Sequence, residues 1–171
     1  MGTRVHAKCI KCEREYDYLF GSNNEYDLYN TFLEIYEDKQ VNLFDKNIFF
    51  ETYKELLKEH NNEGINVDEI LEYNYSRIMS FFLPDEVELL KTNIFHSHDL
   101  RIHTVYNSDL EPASRVMLYI PFLKVNFLDG SEYTRKYTKN AKFVEFSEDQ
   151  RFLSCAFCGT LTAAFQSEQE V

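Results

Sequence analysis

The sequence predicts an α+β protein, with an antiparallel β region formed by both chain ends and a helical insertion between them. Two observations carry that expectation. Apolar residues alternate with polar ones near both termini but recur every three or four positions in between, so a strand period gives way to a helical one and then returns. All four cysteines stand in two Cys-x-x-Cys pairs, Cys9/Cys12 and Cys155/Cys158, at opposite ends of the 171-residue chain. Whatever gathers them brings those ends together. A content of 44% hydrophobic and 16% aromatic residues is enough apolar material for a buried core. A single domain over 1–171 is therefore expected, with a β-rich part at 1–24 and 94–171 and an acidic helical insertion at 25–93.

The first strands are expected at 5–8 and 15–20, folding back around the first cysteine pair, and Gly21-Ser22-Asn23-Asn24 ends that pattern. Leu28, Phe32 and Ile35, spaced by four and three, place one apolar stripe on a helix ending near Asp38. A second helix starts at Asp45, whose carboxylate can accept from the free amides of a first turn. It runs through Ile48, Phe49, Thr52, Tyr53, Leu56 and Leu57 and stops near Asn61-Asn62-Glu63-Gly64. Asn66 and Glu69 have the spacing of a capping box, ahead of a third helix presenting Ile70, Leu71, Tyr75, Ile78, Met79 and Phe82. Proline is tolerated at a first helical position, where no N–H is needed, so Pro84 opens a short fourth helix over 85–91.

Beyond the helices, Leu100, Ile102, Thr104 and Tyr106 alternate with Arg101, His103 and Val105 as in a strand. Residues 107–114 read as a loop, and 115–128 as a β-rich run in which Pro121 marks an edge or a bulge. Asp129-Gly130 is expected to make a type I′ hairpin turn, with strands at 132–138 and 142–146 after it. The chain closes with 152–154, the second cysteine pair and 160–165, and the polar tail 166–171 is expected to fray.

Four thiols in two such pairs form the ligand set of tetrahedral structural zinc, which takes four thiolates and leaves no position open for chemistry. Gly159, directly after Cys158, allows a tight turn in which backbone amides face the sulfurs. The segments Lys8-Cys9-Ile10-Lys11-Cys12-Glu13 and Ser154-Cys155-Ala156-Phe157-Cys158-Gly159 resemble the two knuckles of a zinc ribbon. That resemblance covers roughly the first 20 and last 20 residues and implies Cys9, Cys12, Cys155 and Cys158 as ligands of one structural zinc. With 142 residues between the pairs the chain departs from an ordinary ribbon, so a ribbon's function does not come with the resemblance. Disulfides between the same cysteines would need an oxidising compartment, and a redox pair would open a helix after a strand. The basic start is followed by no apolar leader, which points to the cytoplasm, where thiols stay reduced.

Charge bounds the function. Residues 13–90 hold 19 Asp and Glu against 6 Lys and Arg, whereas 114–151 hold 7 basic against 5 acidic residues. An acidic block repels phosphate backbones and suits a protein partner with a basic surface. The expected function is a non-catalytic, zinc-stabilised protein-interaction module, an inhibitor or regulator of a nucleic-acid-processing partner. Two other functions compete with it. Arg135, Lys136, Lys139 and Lys142, interleaved with Tyr133, Tyr137 and Phe143, would form a basic aromatic hairpin able to hold single-stranded nucleic acid. His96 and His98, sharing one face of a strand, could bind a hydrolytic metal with Asp99 or His103, or stand simply as exposed residues at a helix-to-sheet junction. No apolar run is long enough for a membrane span, and neither a phosphate-binding glycine loop nor a nucleophile elbow is present.

Overall fold

A computed structural model describes residues 2–171. Strands β1 (Gly2–Cys9) and β2 (Glu15–Gly21) flank the first cysteine pair and run antiparallel from the pair Gly2 and Gly21 to the pair Lys8 and Glu15. Helix α1 (Asp27–Lys39) buries Phe32, Leu33 and Tyr36, while Leu28 and Ile35 are only half-buried. Its apolar stripe thus lies one position round from the expected one. Helix α2 (Lys46–Leu57) begins as its cap dictates: the Asp45 carboxylate accepts from the N–H groups of Asn47 at 2.9 Å and Ile48 at 3.1 Å. Helix α3 (Val67–Phe81) begins at Asn66, whose side-chain oxygen accepts from Glu69 N–H and whose amide donates back to the Glu69 carboxylate. Leu71 and Ile78 are buried there, whereas Ile70 faces out. Helix α4 (Pro84–Thr92) has Pro84 in its first turn.

Strand β3 (Phe95–Asn107) starts five residues earlier than its alternation announces, because Phe95 is the first buried side chain and the histidines that follow it mask the pattern. After a short 3-10 turn come β4 (Leu118–Phe127), β5 (Glu132–Thr134), β6 (Ala141–Phe143), β7 (Phe152–Ser154) and β8 (Leu161–Glu170). The strands follow the order β5-β4-β3-β2-β1-β8-β7, and β6 pairs with β3. Strands from both chain ends therefore join in one sheet, and the class is α+β.

Three expectations are corrected. Between β4 and β5 the amide of Gly130 bonds to the Phe127 carbonyl and only Gly130 has a positive φ, of 89°. Leu128 and Asp129 are thus the central residues of the turn, with Gly130 in the left-handed position behind them, whereas a type I′ turn would need Asp129 at positive φ as well. The segment 132–138 is a strand only to Thr134, and β6 pairs with β3 instead of folding back on β5, so no hairpin forms there. Nor does the tail fray. Its side chains are exposed, but the backbone of β8 pairs with β1 as far as Glu170 opposite Thr3. Backbone bonding leaves no mark in a run of polar residues.

The chain divides into two compact units. The first comprises 1–24, 99–124 and 134–171, the second 25–98 and 125–133. In the first, Val5, Ala7, Tyr18, Tyr106, Val144, Leu153 and Ala163 bury one face of the sheet together with Cys9 and Cys155. In the second, Phe32 is surrounded by the rings of Phe44, Phe82 and Tyr36 at 5.2, 5.6 and 5.9 Å. Tilted and edge-on contacts of this kind add roughly 0.5–1.5 kcal/mol per pair beyond area burial. Tyr53 stacks on Phe49 at 4.1 Å, but its buried hydroxyl has no hydrogen-bond partner among the described residues. A buried hydroxyl without a partner costs about 1–3 kcal/mol. Tyr53→Phe is accordingly expected to raise the unfolding midpoint by about 1 kcal/mol equivalent in a urea titration, and a loss of stability would show that the hydroxyl is used.

Candidate metal centre

Each cysteine pair sits in a loop of the same construction. In the first, Cys9 N–H donates to the Arg14 carbonyl at 2.9 Å, and Glu13 N–H donates back to the Cys9 carbonyl at 3.0 Å. In the second, Cys155 N–H donates to the Thr160 carbonyl and Gly159 N–H to the Cys155 carbonyl, both at 2.8 Å. The residue after each second cysteine is left-handed, Glu13 at φ 63° and Gly159 at φ 68°. This backbone turns amides onto the sulfurs, Lys11 N–H reaching Cys9 Sγ and Cys158 N–H reaching Cys155 Sγ, each at 3.4 Å. Glycine takes that conformation freely, while a residue with a Cβ is strained by roughly 1–2 kcal/mol. Glu13→Gly should therefore raise stability by about 0.5–1 kcal/mol after the entropy of glycine is counted. Equilibrium unfolding checks this, and a destabilised variant would mean that the Glu13 side chain has a role of its own.

The sheet closes the two loops onto each other. Cys9 ends β1, Cys155 follows β7, and β8 pairs with both strands. All four Sγ atoms consequently lie within 4.8 Å of one another, with Cys9 and Cys158 at 3.8 Å and Cys12 and Cys155 at 3.6 Å. Four sulfurs at about 2.3 Å from a common centre would be separated by about 3.8 Å along tetrahedral edges, so the observed spacing suits such an ion. All four are free thiols, Cys9 and Cys155 buried, Cys12 and Cys158 partly so. The cluster can hold a metal ion, and zinc is compatible with its donor set.

Neighbouring side chains tune the thiols. Burial pushes Cys9 up, but N–H donors of Cys12 and Lys11 and the Thr162 hydroxyl, at 3.2 Å from its sulfur, outweigh it and bring the thiol down to about 6. Cys158 goes the other way. Burial, together with the adjoining sulfurs of Cys12 and Cys9, pushes it up to about 12. Burial likewise raises Cys12. A bound cation reverses such rises, because a coordinating thiol gives up its proton to the metal's charge. The Tyr16 hydroxyl oxygen accepts from Cys155 Sγ at 3.6 Å and from Phe157 N–H at 3.2 Å. Arg115 donates to the Ala156 carbonyl at 3.0 Å and to the carbonyls of Ser108 and Leu110, tying the second loop to the turn after β3. The guanidinium of Arg14 lies 4.4 Å from the centre of the Phe157 ring. Of these neighbours, only Thr162 leaves a trace in the sequence, as a lone polar residue in the apolar run 161–165, and Tyr16, Arg14 and Arg115 leave none.

The other candidate residues do not converge. His98 is held by the Glu37 carboxylate at 2.5 Å on Nδ1 and by the Asn30 side-chain oxygen at 3.2 Å on Nε2. His96 is exposed. His103 meets the Val144 carbonyl and packs edge-on against Phe20 at 5.2 Å. Among the described residues, the four cysteines are the one group of three or more His, Cys, Asp and Glu side chains close enough to share an ion. Arg135 is only 8% exposed, its backbone amide bonded to Leu123, so it is not the surface cation that a phosphate contact needs. Lys136, Lys139 and Lys142 are exposed, and Tyr137 donates to the Pro121 carbonyl. No described helix is long and apolar enough to cross a membrane. Compared with family models, curated proteins and solved structures, the chain matches none.

Proposed function

We propose that the chain is a non-catalytic, zinc-stabilised protein-interaction module whose acidic helices dock on a basic surface of another protein, an inhibitor or regulator of a nucleic-acid-processing partner. The observation that carries this reading is the gathering of Cys9, Cys12, Cys155 and Cys158 within 4.8 Å. Four thiolates complete the tetrahedron of a zinc ion, so the centre would serve folding, as in the zinc ribbons that the two knuckles resemble, and would offer a substrate no coordination position. The recognising surface must then lie elsewhere. The segment 25–93 carries 16 acidic against 6 basic residues, with exposed carboxylates on its helices at Glu34, Glu51 and Glu88 and in the turn after α2 at Glu59. Charge of one sign steers a partner of opposite sign and rejects phosphate backbones, as expected of a protein that occupies a nucleic-acid groove in place of the nucleic acid.

The test has two parts. Metal analysis of the purified chain is expected to give one zinc per molecule. Capture of the partner from the native cells, identified by mass spectrometry, is expected to be lost in the combined variant Glu34→Lys, Glu51→Lys, Glu59→Lys and Glu88→Lys while its thermal unfolding stays unchanged. Retained capture by that variant would remove the helical surface from the proposal.

A further inference from the structure

The first unit holds a second feature with chemistry of its own. On the β1, β2 and β8 face, toward the start of β1 and not at Cys9, lies a cleft of about 300 Å³ walled by Phe20, Phe146 and Phe165, with Glu168 at its side. Thr3, Val5 and Gln150 complete the lining, so no lysine or arginine faces it. Two irregularities build it. Phe165 and Glu168 are three residues apart and would point to opposite faces of a regular strand, but β8 bulges where β1 passes from His6 to Ala7. Ser167 opposes His6 and Phe165 opposes Ala7, leaving Gln166 as the extra residue. Bulges re-aim side chains in this way and recur beside functional sites. Gln150 is held at φ 58°, a strained conformation for a residue with a side chain. Phe20 and Phe146 stand 5.1 Å apart at 48°, and Phe146 and Phe165 remain 42% and 38% exposed although they wall a cleft.

We propose that this cleft binds a quaternary ammonium group, the side chain of a trimethylated lysine in a basic peptide. Aromatic faces carry the negative part of the ring quadrupole and attract a cation. Glu168 adds a carboxylate, and an anionic ligand would meet no compensating charge among the lining residues. A bare ammonium is strongly hydrated and brings three donors that phenyl rings satisfy poorly, whereas three methyl groups keep the charge and replace those donors with apolar surface. The volume stands at the lower end for ligand sites and suits a single side chain rather than a large molecule. A peptide is favoured over a choline-bearing membrane because the chain has a net charge of −11 and Glu170 lies on the same strand as Glu168. Such a surface attracts flanking lysines and is repelled by anionic lipid.

The zinc-loaded chain titrated calorimetrically with a lysine-rich peptide provides the test. The trimethyl-lysine form is expected to bind about ten-fold more tightly than the unmodified form, and by a similar factor more tightly than the neutral isostere with carbon in place of the charged nitrogen. Phe146→Leu and Glu168→Gln, both at partly open positions, should each remove most of that preference with unchanged thermal unfolding. Equal affinity for the neutral isostere, no binding, unchanged affinity in Phe146→Leu, or tighter binding to phosphatidylcholine vesicles than to the peptide would each overturn the proposal. The cleft belongs to the first unit and the acidic helices to the second, so its test and the helical charge reversal fail separately.

Discussion

Cys155→Ser, or removal of metal from the wild-type chain by a strong chelator, is expected to unfold the first unit. Binding of zinc to four thiolates contributes on the order of 10 kcal/mol in small sites at neutral pH, comparable with the roughly 5–15 kcal/mol that separates a whole folded domain from its unfolded chain. The expectation is sharpened by position. Cys9 and Cys155 are 1% and 0% exposed and belong to the same buried cluster as Val5, Tyr18 and Leu153, so loss of the ion would leave polar thiols crowded inside an apolar face. Circular dichroism followed against chelator concentration, with zinc released to a colorimetric indicator in parallel, checks this. Loss of structure should track loss of metal. A well-folded, metal-free Cys155→Ser protein with an unchanged unfolding temperature would show that the sulfurs cluster without holding the fold.

Glu86→Ala is expected to cost the second unit about 3–5 kcal/mol, the loss seen when one partner of a buried polar network is deleted. Glu86 is 1% exposed, yet its carboxyl group accepts from Leu83 N–H at 2.9 Å on one oxygen and from the Tyr133 hydroxyl at 2.9 Å on the other. The first bond fixes the start of α4, where amides have no partner within the helix. The second joins that start to β5, so truncation strands two donors and leaves a hole. Glu86→Gln keeps the shape and one acceptor oxygen and should cost about 1–2 kcal/mol. Urea unfolding of the two variants separates the cases. If Glu86→Ala proved as stable as wild type, the buried carboxyl group would have no structural part.

The difference between what the residues announced and what the fold does follows from range. Caps are local, so Asp45, Asn66 and Pro84 marked the starts of three helices correctly, because the groups that they satisfy lie within three residues. The cysteine pairs were legible as a ligand set because four thiols in two such pairs match the donor set of a tetrahedral ion. Long-range backbone pairing was not legible. β8 continues through Gln166, Ser167 and Glu168 with exposed polar side chains, and nothing in those residues names β1 as its partner. The same holds for Glu86, whose residue type announces a surface position, and for Glu13, which occupies a left-handed site that only glycine would have advertised. Arg135 reversed the usual rule in the same way, being buried in a segment whose charge suggested an open cationic surface.

The pairing of β1 with β8 carries a consequence for the order of events in the cell. Residues 2–9 leave the ribosome well before residues 161–170, with which they pair in the sheet. The ligand set is divided in the same way, two sulfurs on either side of 142 intervening residues. Non-local pairing of this sort folds slowly, while segments with local contacts form as they emerge. The helices of the second unit can therefore assemble while the chain is still growing, but the metal-bearing unit must wait until residues 161–170 have emerged. Until then β1 has only β2 beside it, its other edge stands open to pairing with another chain, and the first cysteine loop holds two of the four ligands.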